Sequence, residues 1–80
     1  MNATTLPDDA GGLVIRWIEE NYKTHTVHSG FYIVGKECAV MIGTNHCEIC
    51  ARVTGTTIAS LHYSDPKLYD TLRKHLDGDA

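Results

Sequence analysis

The chain has 80 residues, 42% of them apolar and 21% charged, and a formal net charge of −3 from 10 carboxylates against 7 lysines and arginines. A chain of this length holds one domain with a thin core, burying only about 60% of its unfolded surface; that excludes a Rossmann unit, a barrel enzyme or a second domain, and the ordinary globular composition excludes disorder as the default state. The negative charge and the scattered basic residues (Arg16, Lys23, Lys36, Arg52, Lys67, Arg73 and Lys74) exclude the clustered basic footprint of a direct nucleic-acid binder and favour a protein partner, itself basic.

Residues 1–8 read as a loose tail of small and polar residues with Pro7. The tail has neither a basic n-region nor an apolar h-region, so no signal peptide is expected, and no apolar run in the chain approaches membrane-spanning length. Asp8 or Asp9 then caps a helix over 9–22, its first turn weakened by Gly11-Gly12. Leu13, Val14, Trp17 and Ile18 form its apolar face. Arg16, Glu19, Glu20 and Lys23 form the opposite face, with Glu19 and Lys23 in the favourable i,i+4 order. Ile15 points off the apolar face.

The period then changes to two. Residues 24–27 start strand-like, but Ser29-Gly30 interrupts them, and the first firm strand is 31–34. Gly35-Lys36-Glu37 reads as a hairpin connection to a strand over 38–42. Gly43-Thr44-Asn45 turns the chain into a strand over 46–53, and Thr54-Gly55 turns it into another over 56–63. In the strand over 46–53, Cys47, Ile49, Ala51 and Val53 share a buried face, while His46, Glu48, Cys50 and Arg52 share a wet one. Ala59, Leu61 and Tyr63 continue the buried face, leaving Ser60 and His62 outside. The final helix has Asp65 as N-cap, Pro66 at N1, and a stripe of Leu68, Tyr69, Leu72 and Leu76. Arg73, Lys74 and His75 fill its last turn and Gly78 stands at C′.

The fold class is therefore α+β. A two-layer domain over 9–80 is expected, an antiparallel meander of three to four strands flanked by an N-terminal and a C-terminal helix, both packed on the apolar sheet face. The other sheet face is left to His46, Glu48, Cys50, Arg52, Ser60 and His62, joined by Tyr32, Val34 and Met41. Such a mix of aromatic, thioether and charged groups suits a modest protein interface, and equally a plain solvated face.

Three cysteines, Cys38, Cys47 and Cys50, make an odd number, awkward for a disulfide-stapled secreted domain, so a reduced, cytoplasmic protein is expected. Cys47 and Cys50 form a Cys-x-x-Cys pair, and with Cys38 and His62 they compose a possible zinc set. Residues three apart on a regular strand face opposite sides, however, which opposes both a shared metal and a redox bridge. The competing reading is a buried Cys47 and an outward, reactive Cys50. A Cys50–histidine nucleophile fares no better: His46 shares its face but stands roughly 13 Å away along the strand, leaving only His62 on the next strand. His25 and His28 form a pair with no third ligand nearby. No catalytic set, cofactor or metal is expected from these patterns, and the protein reads as non-enzymatic.

The helix–meander–helix order is also that of the double-stranded-RNA-binding domain, kept as an alternative. That family begins its last helix with a basic cluster; here the corresponding stretch holds Lys67 between Asp65 and Asp70. In format (about 80 residues, mild acidity, a helix-meander-helix layout and no enzymatic motif) the whole chain resembles the small phage- and mobile-element-encoded inhibitors of the anti-CRISPR type. The resemblance implies a monomeric, stoichiometric inhibitor that docks on a CRISPR effector subunit at a basic DNA-binding groove and blocks access to target DNA. The residues expected to make that protein contact are Glu19, Glu20, His46, Glu48, Arg52 and Asp70. A zinc-stabilised domain built on Cys38, Cys47, Cys50 and His62 is the principal alternative.

Overall fold

The computed structural model describes residues 9–78, and the expected tail over 1–8 lies outside that range. In chain order the elements are α1 (Ala10–Asn21), β1 (Thr26–His28), β2 (Phe31–Ile33), β3 (Cys38–Ile42), β4 (His46–Ala51), β5 (Thr57–His62) and α2 (Leu68–Asp77). The five strands form one antiparallel meander in the order β1-β2-β3-β4-β5. The α+β class is as expected, with five strands in place of three to four. The additional strand is β1. Ser29-Gly30 does not interrupt it but makes a two-residue hairpin, with His28 paired to Phe31 and both turn residues at positive φ, 53° and 83°. Positive φ at both central positions is what a type I′ hairpin requires.

Register decides which side chains share a face, because the side-chain period along a strand is two. One row across the sheet is Tyr32, Val40, Ile49 and Ala59; another is Ile42, Cys47 and Leu61. These residues, with Val34 and Cys38, meet Val14 and Ile18 of α1, Tyr22 beyond its end, and Leu68, Leu72 and Leu76 of α2 in a single core. Each fully buried large aliphatic side chain there contributes about 1.5–3 kcal/mol. Both helices therefore lie on one face of the sheet. They are also tied to each other. The Tyr22 hydroxyl donates to the Asp77 carboxylate. Trp17 packs edge-on against Tyr22 and tilted against Tyr69, with ring centroids 5.6 and 5.3 Å apart, and the Arg73 guanidinium sits 5.3 Å over the Trp17 ring.

Several local expectations change. Tyr32 and Val34 lie on the helix side, because Tyr32 registers with Val40; Phe31 and Ile33 take the opposite face. Leu13 is 46% exposed and outside the core; buried Gly11 approaches Ile42 of the sheet there instead. β4 ends at Ala51, whose carbonyl accepts the Gly55 amide at 2.7 Å while its own N–H donates to Thr56. Val53 thus falls in a turn and is 91% exposed. The Asp65 carboxylate caps only a turn, accepting the Lys67 amide at 2.9 Å, and α2 starts at Leu68 without a side-chain cap. Gly78 keeps right-handed geometry, φ −68°, and is not a left-handed C′ residue. Among the described residues no helix is long and apolar enough to cross a membrane.

Candidate functional site

With both helices on one side, the other face of the sheet has no covering layer among the described residues. Two cross-strand rows span it. Phe31, Met41, Glu48 and Ser60 form one; Ile33, Ala39, Cys50 and Thr57 form the other. Each row runs from apolar on β2 and β3 to polar on β5. His46 and His62 pair directly at one end. A β-bulge lies between β4 and β5: Ile49 pairs with Ala59 and Cys50 with Thr57, leaving Ile58 as the extra residue. The bulge returns Thr57 to the open face, where alternation alone would have pointed it at the helices.

The polar end of this face is internally bonded. Glu48 uses both carboxylate oxygens, one 3.0 Å from His46 Nε2 and the other accepting the Thr57 hydroxyl at 2.9 Å. These two bonds hold the Glu48 carboxyl below its usual range. His62 Nδ1 lies 2.8 Å from the Ser64 hydroxyl. The apolar end surrounds a cleft of about 140 Å³ at the corner of the face, lined among others by His28, Phe31, Ile33, Ala39, Cys50 and Arg52. Sequence reasoning did not find this cleft. Phe31 and Ile33 carried the signal in their alternation, but only their register against Ala39 and Met41 turns it into a surface.

The cysteines divide between the two faces. Cys47 is fully buried in the core, and burial pushes its thiol up to about 11. Cys38 also belongs to the core, paired with Ala51. Cys50 faces the other way, yet it is only 4% exposed between Ala39 and Thr57. Burial and then the Glu48 charge push its thiol up, opposed by a hydrogen bond with Thr57. The expected outward, reactive Cys50 is thus a covered, protonated thiol, the opposite of an activated nucleophile. The alternative ligand set Cys38, Cys47, Cys50 and His62 is split by the thickness of the sheet. Among the described residues no group of three or more His, Cys, Asp or Glu side chains converges as a metal ion needs. His25 and His28 diverge as well: the His25 ring bonds the Tyr22 carbonyl at 2.9 Å and stacks on Tyr32, whereas His28 lines the cleft.

The six residues expected to contact a partner do not make one surface. His46 and Glu48 are on the open face. Glu19 and Glu20 on α1 and Asp70 on α2 are exposed on the helix layer, away from the core stripes Val14–Ile18 and Leu68–Leu72–Leu76 and so on the far side of the molecule. Arg52 stands at the edge of the open face. Its N–H donates to the Glu37 carbonyl at 2.7 Å and its Nη1 to the Gly35 carbonyl at 3.2 Å. It staples the turn after β4 to the β2–β3 connection. No protein-family model, curated protein or solved structure matches the chain.

Proposed function

We propose that the protein is a non-enzymatic binding module that acts by occupying a protein partner, with the open face of the sheet as its contact surface. The observation that carries this reading is the pair of cross-strand rows, which set a half-buried apolar patch (Phe31, Ile33, Met41) against a bonded polar flank (His46, Glu48, Thr57). An apolar centre with a polar rim is the general anatomy of a protein interface. Glu48, kept ionised by its two hydrogen bonds, supplies a fixed negative charge at the rim.

The narrower form of the proposal is an inhibitor of the anti-CRISPR type, which docks at a basic DNA-binding groove of a CRISPR effector subunit and blocks target-DNA access. The formal charge of −3 supports it, since an acidic protein is drawn to such a groove. Glu19, Glu20 and Asp70, on the far side, contribute to long-range attraction and not to contact. The test is a pull-down of purified effector complexes at low salt, where charge attraction is strongest. Retention of a complex, and its competition by target DNA, is the expected result. Failure to retain any effector complex at low salt sinks the inhibitor reading.

A further inference from the structure

We infer that the cleft at the corner of the open face is a binding site for a small organic carboxylate with a compact apolar body, of the aryl or branched-aliphatic acid class. The cleft shares Phe31 and Ile33 with the proposed contact face, but its ligand does not depend on the partner reading, because a cleft this small holds a small molecule whether or not a partner docks on the face.

The body of the ligand is set by the walls. Phe31, Ile33, Ala39 and Cys50 line a space of about 140 Å³. An apolar protein cavity of about 150 Å³ accepts benzene, so one six-membered ring or a branched alkyl group fits. The Cys50 thiol is held neutral by burial, so it adds no charge to this wall.

The head of the ligand is set by the mouth. Arg52 and His28 line both the cleft and the adjoining depression, which Thr26, Val27 and Ile33 complete. Among the described residues no carboxylate lines either space. In a chain with a formal charge of −3, the Arg52 guanidinium with no acid beside it in the adjoining depression is a local reversal of sign, and the His28 imidazole adds a hydrogen-bonding group there. One Arg52 Nη1–H donates to the Gly35 carbonyl at 3.2 Å, which leaves the guanidinium further N–H donors for a carboxylate. A carboxylate attached to a buried ring meets these donors without leaving an acid against an acid.

The test uses the full chain, uniformly ¹⁵N-labelled, titrated with benzoate, benzyl alcohol and acetate. Benzoate is expected to give saturable amide shifts at Phe31, Ala39, Cys50 and Gly55, with a dissociation constant in the millimolar range or tighter. Acetate, which lacks the body, is expected not to saturate. Benzyl alcohol, which lacks the charge, is expected to bind roughly tenfold more weakly. Arg52→Gln should bring benzoate down to the level of benzyl alcohol, and Ala39→Val, which fills the cleft, should abolish both. If Ala39→Val does not fold, intermolecular NOEs from the benzoate ring to the Phe31 and Ile33 side chains of the unaltered chain place the ligand in the cleft, and their absence removes it from there. The assignment is overturned by absent or non-saturating benzoate shifts, by an unchanged benzoate affinity in Arg52→Gln, or by a ligand-free dimer that buries the same amides.

Discussion

Cys47 and Cys50 show how strongly burial on either side of a thin sheet controls side-chain chemistry. Their opposite orientation was legible in the alternation of β4. The cover over Cys50 was not, because it depends on the bulge that returns Thr57 to the open face. All three cysteines are buried, so reaction of the native protein with a chromogenic disulfide is expected to be slow throughout. Cys50, nearest the β4–β5 turn, should label first through local opening, and Cys47 only at the rate of global unfolding. Labelling of Cys50 at the rate of a free cysteine would show that Ala39 and Thr57 do not cover it. Ionisation makes a second claim. The Cys47 thiol is pushed from 9.0 to about 11 in the folded state, so the unfolded chain releases this proton first as pH rises. The associated stability is fully present below pH about 9 and lost as pH passes about 11. The urea midpoint should fall across that window, and in Cys47→Ala the fall between those values should be shallower.

Among the elements, α1 carries a conflict between propensity and packing that the sequence displayed only in part. Gly11 reads as a weakness, since Ala in its place is worth about 1 kcal/mol to a helix. In the fold, a Cβ at that position would lie 2.9 Å from Ile42 Cγ2 and 3.2 Å from the Tyr63 hydroxyl oxygen. Neither neighbour yields easily: Ile42 is β-branched and stiff, and the Tyr63 hydroxyl donates to the Gly43 carbonyl at 2.8 Å. Gly11→Ala is therefore expected to lower stability by about 1 kcal/mol despite the better propensity, read as a fall in the urea midpoint. A rise would mean that the α1–sheet approach is looser. The same division between local and distant information runs through the chain. β3 and the extent of α1 follow from local pattern and were legible to within a residue or two. The phase of β2, the end of β4 at Ala51 and the exposure of Leu13 depend on pairing and helix approach, which no single segment contains. The strand β1 lay hidden because Ser29-Gly30 acts as a breaker in isolation and as a hairpin only when Phe31 returns to pair with His28.

At the scale of the whole molecule, the two-layer arrangement separates charge from contact. Glu19, Glu20 and Asp70 sit on the helix layer, while the apolar patch and Glu48 sit on the open sheet face. The two groups of residues should therefore affect partner binding differently. The triple change Glu19→Gln, Glu20→Gln and Asp70→Asn removes three of the 10 acidic charges. It should slow association about tenfold at low salt through loss of electrostatic steering and have little effect once salt screens the field. The double change Ile33→Asp and Met41→Asp places charge in the apolar patch and should abolish binding at every salt concentration by accelerating dissociation. Both residues face away from the helix-side core, so the variant is expected to retain its helical signal and cooperative unfolding, a control that separates lost contact from lost fold. If the helix-layer variant loses binding at high salt while the sheet variant binds normally, the partner docks on the helices and the open face is not the interface. The sequence could not separate these outcomes, because all six candidate residues were legible as polar and exposed, whereas their division between two opposite surfaces follows only from packing both helices on one side of the sheet.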